Sequence, residues 1–377
     1  MKYGFSFARL IALLIKEFIQ MRRDRSTFAV MVGVPLLQLL VFGFAINTDP
    51  KHLPTALHIA DDSVYARSIE AALKNSEYFD FVAIARTPKD AERMLDEGEV
   101  SFVVTIPVNF ARDLVRGQNP ELLIQADASD PSAASNALAA MTQLATSALR
   151  NDLVGPLASR AAVPPFTAVI QRRYNPEGLT QYNIVPGLIA VILTMTMVMV
   201  TAIAMTRERE RGTLENLLAM PAHPSEVMLG KIIPYVIVGY VQVALILLGA
   251  RFIFNVPIIG SLALLMAASG LFIAANLALG FTFSTIAKSQ LQAMQTAVFF
   301  LLPSILLSGF AFPFRGMPEW AQWIGEALPN THFLRIVRGI LLKGNGAAEI
   351  WPNVWPLLIF LVVVGAMALL RYRRTLD

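Results

Sequence analysis

Long uncharged apolar runs alternate along this chain with stretches rich in polar residues. A helix rises about 1.5 Å per residue, so roughly 20 apolar residues cross the hydrocarbon core of a bilayer. The apolar runs therefore predict six transmembrane helices, at Phe28–Ile46, Ile184–Met205, Ile232–Ala250, Ile259–Phe283, Leu291–Phe312 and Trp355–Leu370. The predicted fold class is an α-helical polytopic membrane protein.

Residues 1–27 precede the first apolar run and have an amphipathic pattern. Between Phe5 and Arg23, one face of a helix carries Arg9, Lys16, Gln20 and Arg23, and the opposite face carries Phe7, Ile11, Leu14 and Phe18. This pattern predicts an N-terminal helix lying in the membrane interface, in contact with lipid phosphates.

Basic residues flank the predicted helices and predict their orientation. Arginines precede the first helix (Arg22, Arg23 and Arg25) and follow the last one (Arg371, Arg373 and Arg374). Lys288 lies in the connection between the fourth and fifth helices. Since cytoplasmic loops carry an excess of Lys and Arg, both termini are predicted to be cytoplasmic.

Residues 47–181, between the first two predicted helices, change to a mixed pattern. Short β-branched or apolar runs predict strands at Ala56–Ala60, Phe81–Ala85, Phe102–Ile106 and Leu122–Ala126. Helical composition is found at Tyr65–Lys74, Lys89–Glu97 and Ser132–Arg150. The alternation predicts an inserted extracytoplasmic α/β domain. The acidic pairs Asp61-Asp62 and Asp127…Asp130 follow strands, where strand-end turns or helix caps are expected.

Residues 313–349 are predicted to lie outside, although they carry Arg315, Arg335, Arg338 and Lys343. The aromatic and apolar residues of this segment indicate short amphipathic or re-entrant helices at the outer interface. These residues are Trp320, Trp323, Ile324, Phe333, Leu334 and Val337.

Composition supports a membrane protein and excludes some functions. Hydrophobic residues make up 55% of the 377 residues and charged residues only 15%. The sequence pI is near 9.4, but the net charge is +4 and the basic residues cluster beside apolar runs, so no nucleic-acid partner is expected. There is no cysteine and therefore no disulfide.

The sequence contains no recognisable catalytic or nucleotide-binding motif. Gly344-Asn345-Gly346 lacks the lysine of a phosphate loop, and the four histidines are not at metal-ligand spacing. We therefore predict a transport subunit rather than an enzyme, with no cofactor or metal of its own.

The central parts of the predicted membrane helices have no ionisable residue, which argues against an ion-coupled exporter. The amides at depth are expected to hydrogen-bond between helices more than to contact a substrate: Gln38, Gln242, Asn276, Gln292 and Gln295. A pathway without buried charge indicates a hydrophobic or amphipathic cargo.

A charged segment at 206–224 joins the second and third predicted helices. It has helical character, is interrupted at Gly212, and is predicted to end at Pro221 and Pro224, with Ser225 capping the next helix. A polar helix fixed between two membrane helices is well placed to receive force from a soluble partner. The alternative is an ordinary solvated loop helix.

Several motifs resemble those of the type-2 ABC transporter permease family, in its drug- or lipid-exporting branch with a large external domain. They include Gly212–Leu218 with Pro221, and Leu307–Phe310 with Pro313, Met317-Pro318 and Trp320. The resemblance continues through Pro329, Thr331–Phe333, Arg338-Gly339 and Lys343-Gly344, and Asn175-Pro176 before the second helix is similar to the same branch. Arg211 departs from the family pattern.

The resemblance implies a permease in the bacterial inner membrane that forms a pore with a second copy or a paralogue. Separate ATPase subunits would hold ATP and Mg, and membrane lipid and possible periplasmic adaptors would be further partners. The coupling residues implied for 206–224 are Arg207, Glu208, Glu210, Gly212, Thr213, Glu215, Leu217 and Pro221. The substrate pathway predicted with them comprises Gln38, Gln295, Phe300, Pro303, Ser308, Gly309 and Phe310.

Two other functions remain open on sequence grounds. One is an ion-coupled secondary exporter, which would work without ATP. The other is a membrane sensor or scaffold, whose external domain would bind a ligand without any vectorial transport.

Overall fold

A computed structural model of the chain describes residues 50–155, 164–210 and 224–374. The predicted interfacial helix (1–27), the first predicted membrane helix (28–46) and Gln38 lie outside this part of the chain. Most of the predicted charged segment, residues 211–223, lies outside it as well.

Residues 53–173 form an α/β unit. Its strands are β1 (Leu53–Ile59), β2 (Phe79–Ile84), β3 (Phe102–Ile106), β4 (Glu121–Asp127) and β5 (Thr167–Arg173). Its helices are α1 (Val64–Asn75), α2 (Pro88–Asp96), α3 (Phe110–Arg116) and α4 (Pro131–Ser147).

The five strands form one sheet in the order β2-β1-β3-β4-β5. The β1 strand is parallel to β2 and β3, β3 is antiparallel to β4, and β4 is parallel to β5. Buried side chains cover both faces of the sheet. On one face, the rings of Phe79 and Phe102 pack edge to face with their centroids 5.3 Å apart.

Hydroxyl side chains cap the N-termini of the first two helices of this unit. The Ser63 hydroxyl accepts a hydrogen bond from the backbone N–H of Ala66 at the start of α1. The Thr87 hydroxyl accepts one from Asp90 at the start of α2, where Pro88 occupies the first turn. Both side chains satisfy N–H groups that have no partner inside the helix.

The four predicted strands are present, but two elements were missed. The β5 strand ends in Gln171, Arg172 and Arg173 and is partly exposed, so it lacks a strong apolar pattern. The α3 helix has only seven residues. The long helix runs over Pro131–Ser147 instead of Ser132–Arg150, because Pro131 is tolerated in a first helical turn.

Five further helices are long and apolar enough to cross a membrane. They are α5 (Thr180–Glu210), α6 (Pro224–Phe252), α7 (Leu262–Ile286), α8 (Gln290–Leu307) and α11 (Ala347–Arg374). Each coincides with one of the predicted membrane helices. The chain is therefore a multi-pass membrane protein.

The α7 helix lies at the centre of this bundle and contacts α5, α6, α8 and α11. Small residues allow the helices to approach closely. A Cβ atom added at Gly280 of α7 would lie 2.6 Å from the Val198 carbonyl oxygen of α5, closer than real Cβ contacts.

The predicted ends of three helices were wrong. The α8 helix stops at Leu307 rather than Phe312, because Gly309 adopts a left-handed φ of 85°. Ser225 lies inside α6, which is described from Pro224 onward, so Ser225 is not the residue that caps this helix. The α11 helix starts eight residues before Trp355, at Ala347, and contains Pro352 and Pro356.

Residues 313–349 were predicted to form interfacial helices, and part of this segment is instead buried in the bundle. It contains a 3₁₀ turn (Phe314–Gly316), α9 (Glu319–Glu326), α10 (Pro329–Arg338) and a π-helical turn (Gly339–Lys343). Trp320 and Trp323 are exposed, as predicted. By contrast, Phe333 is fully buried and stacks on Phe272 of α7 with the ring centroids 4.0 Å apart.

Candidate functional site

The α/β unit rests on one end of the helix bundle, which we call the domain end. The opposite end holds the last turn of α5 and the first turn of α8. The sequence-predicted residues within the described part of the chain fall at these two ends and along α8 between them.

At the opposite end, Glu210 joins α5 to the first residue of α8. Its carboxylate accepts hydrogen bonds from the backbone N–H of Gln290, at 2.8 Å, and from the Gln290 side chain. Arg207 Nε donates to Gln290 Oε1 at 3.1 Å. The Glu210 charge is well placed, because the first N–H groups of a helix lack intrahelical partners and favour an anion.

These contacts also affect the ionisation of Glu210. The side-chain hydrogen bond from Gln290 and then its backbone N–H hold the pKa of Glu210 below its usual value of 4.5. The carboxylate is therefore charged at neutral pH. We call Arg207, Glu210 and Gln290 the end clamp.

The α5 helix continues without a break from the membrane span into the start of the charged segment, at Arg207–Glu210. The backbone of Glu208 belongs to this helix. The other predicted coupling residues lie outside the described residues: Gly212, Thr213, Glu215, Leu217 and Pro221. The end clamp thus fixes the point at which that segment leaves α5.

Along α8, the predicted pathway residues do not form one surface. Gln295 and Phe300 are partly buried, and the Phe300 ring packs edge to face against Phe283 of α7 at 5.7 Å. Pro303 lies inside the helix. From Gln295 to Ser308 the helix rises about 20 Å, so these residues occupy different depths.

Ser308, Gly309 and Phe310 are brought together at the domain end of α8. The Ser308 hydroxyl donates to the Ile305 carbonyl, and the Gly309 carbonyl accepts a hydrogen bond from Arg338 at 3.3 Å. The Phe310 ring lies over Gly187 of α5, where a Cβ atom would come within 2.4 Å of it.

The amides at depth have mixed roles. Gln242 accepts a hydrogen bond from Thr196 at 2.8 Å and so links α6 to α5, as predicted. Asn276 instead donates to the Phe272 carbonyl of its own helix, and Gln292 accepts from the Lys288 N–H at the start of its own helix. The prediction of helix-to-helix bonding was wrong for those two residues.

At the domain end, the α/β unit is held by contacts that sequence reasoning missed. Lys343 Nζ, in the π-helical turn, lies 2.6 Å from Asp127 Oδ2 at the end of β4 and 2.8 Å from the Leu95 carbonyl oxygen. Asn345 donates to the Asp96 carbonyl at 3.0 Å. We call this set of contacts the dock.

Asp130 adds a second contact on the same side of the unit. It accepts a hydrogen bond from Asn183 of α5 at 3.2 Å and lies 3.9 Å from Arg338 Nη1. Asp130 is also the N-cap residue of α4, in agreement with the expected strand-end turn or helix cap. Asp127 does accept a turn hydrogen bond from Ser129, and Asp61 accepts one from the Ala111 N–H.

The connection between the α/β unit and α5 is also fixed. The Asn175 side chain is fully buried and exchanges two hydrogen bonds with the backbone of Leu179, each 2.9 Å long. Tyr174, just before it, donates to the Asp96 carboxylate. The unit is thereby attached to the bundle through both its covalent link and the dock.

One signal in the sequence pointed to the dock. Arg338 and Lys343 are basic residues in a segment predicted to lie outside, where an excess of positive charge is unusual. The acidic residues Asp127 and Asp130 explain them, because buried charges need partners.

The described residues contain no cluster of three or more His, Asp and Glu arranged to hold a metal ion. Hydrogen bonds to carboxylates at both bundle ends connect described helices whose interiors are apolar and packed.

Comparison with known proteins identifies the family. The family model described as ABC-2 family transporter protein matches residues 25–370. The chain therefore belongs to the ABC-2 family of transporter proteins. Its five described candidate membrane helices agree with a transporter of this family.

Curated relatives align with the chain over nearly its whole length. The probable multidrug ABC transporter permease YbhS of Escherichia coli is 30% identical over 99% of this chain and 98% of its own. The permease YbhR, named in the same way, is 28% identical over 98% of this chain and 99% of its own. The ABC transporter G family member 20 of Dictyostelium discoideum is 25% identical, with this chain covering 50% of it.

Proposed function

We propose that this chain is the membrane-spanning permease subunit of an ATP-binding cassette exporter. It moves hydrophobic or amphipathic compounds, drugs or lipid-like molecules, out of the cytoplasm or the inner leaflet of a bacterial inner membrane. The permease works with a second copy or a paralogue and with separate ATPase subunits, which hold ATP and Mg. Family membership and the names of the permease relatives support this proposal.

The observation that carries the coupling part of the proposal is the end clamp. Because α5 runs unbroken to Glu210 and Glu210 binds the first turn of α8, a force applied to residues 211–223 would act on both helices. The coupling helix at 206–224 then faces the cytoplasm, and the α/β unit faces the other side, where a periplasmic adaptor could reach it.

The uncharged interiors of the described spans support the proposed cargo. Among Asp, Glu, Lys, Arg and His, the five described candidate spans contain only Arg207, Arg251 and Glu349, and all three lie near span ends. A proton- or ion-coupled exporter ordinarily needs ionisable groups at depth. Driving energy supplied from outside the chain fits this arrangement better.

Transport into inverted membrane vesicles tests the proposal. Vesicles would contain the chain and the ATPase subunits that co-purify with it, with ethidium as the fluorescent probe. We expect ethidium uptake that requires ATP and that is lost in a Glu215→Arg variant whose protein level and thermal unfolding are unchanged. Uptake that follows an ion gradient without ATP would establish a secondary exporter instead. Ligand binding by the chain with no uptake of any probe would favour the sensor.

A further inference from the structure

A cavity of about 580 Å³ lies between the α/β unit and the domain end of the bundle. One wall comes from the α/β unit, around Asp96–Phe102 and Ser129. The other comes from the segment at Phe314–Arg338 and from the first turns of α11. The volume is in the range of small-molecule binding sites. The cavity differs from the predicted pathway along α8, since it includes none of those residues.

Most of the charged groups that line this cavity already have partners. Arg335 makes a two-pronged ion pair with Glu326, at 3.0 and 2.6 Å, and Lys343 binds Asp127. Glu97 binds Arg93 on the surface of α2. Two further carboxylates line the cavity: Asp96 accepts the Tyr174 hydroxyl and Glu349 accepts the Gly346 N–H. Carboxylates outnumber cationic side chains in the lining, so recognition of an anion depends on the cationic groups that lack a full set of partners.

Two arginines in the lining have unmet hydrogen-bond donors. Among the described residues, Arg315 makes one hydrogen bond, from Nη2 to the Gly98 carbonyl at 3.3 Å, and no ion pair. Arg338 makes a hydrogen bond to Gly309 at 3.3 Å, its nearest carboxylate is 3.9 Å away, and its buried Nε has no partner in the described structure. A guanidinium group carries five donors and no acceptor, so both groups can accept an anion as a further ligand.

Both arginines are partly removed from water at this position. Burial lowers the pKa of Arg338, Asp130 and Asp127 act against that shift, and the Arg335 charge adds to it. Arg315 is an exposed residue, yet partial desolvation of its guanidinium and then the Arg335 charge lower its pKa as well. The Arg335 charge thus acts on both arginines, and an anion bound to them would offset that repulsion.

Tryptophans place the cavity at a membrane interface. Four of them are exposed around it, on α9 and on the first turns of α11: Trp320, Trp323, Trp351 and Trp355. Tryptophan is enriched where the bilayer meets water. Trp355 itself lines the cavity. Beyond it, α11 exposes apolar side chains at Leu358, Ile359, Val362 and Val363.

We propose that this cavity binds the anionic headgroup of a membrane amphiphile, a phosphate ester, with Arg315 and Arg338 as its ligands. The hydrocarbon chains of the amphiphile lie along the exposed apolar side chains of α11. The site belongs to the membrane leaflet at the domain end, and it does not depend on the proposed transport function.

The test uses the full-length chain in a mild detergent and native mass spectrometry to follow bound lipid. The probes are dioleoyl phosphatidylglycerol, dioleoylglycerol, which has the same chains without a phosphate, and glycerol phosphate, which has the phosphate without chains. Of these three probes, we expect only dioleoyl phosphatidylglycerol to bind tightly. Arg315→Gln and Arg338→Gln should each weaken it about tenfold or more, as expected for loss of a charge-assisted hydrogen bond.

Arg116→Gln is the matched control, because Arg116 is exposed on the α/β unit and lies outside the cavity lining. It should leave phosphatidylglycerol binding unchanged. If Arg338→Gln unfolds, the exposed Arg315 decides the outcome. Equal affinity of the wild type and the Arg315→Gln variant would overturn the proposal. If dioleoylglycerol bound as tightly as phosphatidylglycerol, the phosphate would not be recognised and the proposal would be overturned. If glycerol phosphate bound as tightly as phosphatidylglycerol, the ligand would be a free phosphate ester and not a lipid.

Discussion

Lys343 and Asp127 form a buried ion pair, with Nζ and Oδ2 2.6 Å apart, between two parts of the chain separated by 216 positions. Their side chains are only 7% and 16% exposed. The pair joins the end of β4 to the π-helical turn that follows α10. The pair therefore ties the α/β unit to the bundle at a buried point far from their covalent link.

Removing one partner of this pair should destabilise the protein strongly. Asp127→Asn or Lys343→Met leaves an unpaired buried charge or donor, which costs about 3–5 kcal/mol. Thermal unfolding of the purified chain measures the loss, and hydrogen exchange at β4 and Gly339–Lys343 locates it. The double variant should lose less than the sum of the two. Asp62→Asn, in an exposed pair with Arg67, is the control and should cost less than about 1 kcal/mol. A strictly additive double variant would show that the pair is not coupled.

The dock should weaken in acid. Burial raises the pKa of Asp127, but the Lys343 charge and hydrogen bonds from Lys343 and Ser129 outweigh burial and hold it below the ordinary 3.8. Because the pKa is lower in the folded state, the stabilisation is fully present above pH 3.8 and is lost as pH falls through the folded value. The protection of Gly339–Lys343 from hydrogen exchange, relative to the intrinsic rate at each pH, should fall below about pH 4 in the wild type. Asp127→Asn should show low protection at every pH. An acid transition of equal size in that variant would assign the effect to another group.

The contact between Gly187 and Phe310 should be sensitive to a single added methyl group. Gly187→Ala places a Cβ atom 2.4 Å from the Phe310 ring, and such overpacking costs about 1–3 kcal/mol. Thermal unfolding should show the loss, and Phe310→Ala should partly restore stability in the double variant. Gly249→Ala is the control, since nothing lies within 4 Å of its added Cβ atom. Unaltered stability of Gly187→Ala would mean that the domain end of α8 is not packed against α5.

The end clamp should matter for coupling more than for folding. Glu210→Gln removes the carboxylate charge from the start of α8 while keeping a side chain of similar shape. We expect ethidium transport per ATP hydrolysed to fall about fivefold or more, within the usual range of coupling energies, with unchanged thermal unfolding. Glu121→Gln, an exposed carboxylate on the α/β unit, is the control. If transport per ATP hydrolysed were unchanged in Glu210→Gln, the end clamp would have no role in coupling.

The membrane helices were predictable because apolar length is a local property. Each of the five described spans was found from an uncharged run, and the errors lie at their ends. Gly309 is a local signal for ending α8 that the apolar run obscured. Similarly, the polar half of β5 is explained by its place at the edge of the sheet, which the sequence of that strand does not reveal.

The ionic contacts were harder to predict because they join distant parts of the chain. The residues around Asp127 predict a strand-end turn, and Asp127 does accept a hydrogen bond from the Ser129 N–H. Nothing near Asp127 in sequence indicates Lys343. The end clamp has the same property, since Glu210 and Gln290 are 80 positions apart. Glu210 was predicted as a coupling residue through the family resemblance, whereas Gln290 was not singled out.

The account depends on residues 211–223 facing the cytoplasm and an ATPase. The chain has no cysteine, so a single Glu215→Cys substitution can be labelled without background. In spheroplasts, a membrane-impermeant maleimide should label Asp80→Cys, on the exposed surface of the α/β unit, but should leave Glu215→Cys unlabelled until the membrane is opened. Glu215→Cys should then form a cross-link to the co-purifying ATPase. Labelling of Glu215→Cys from outside intact spheroplasts, with no cross-link to an ATPase, would contradict the account.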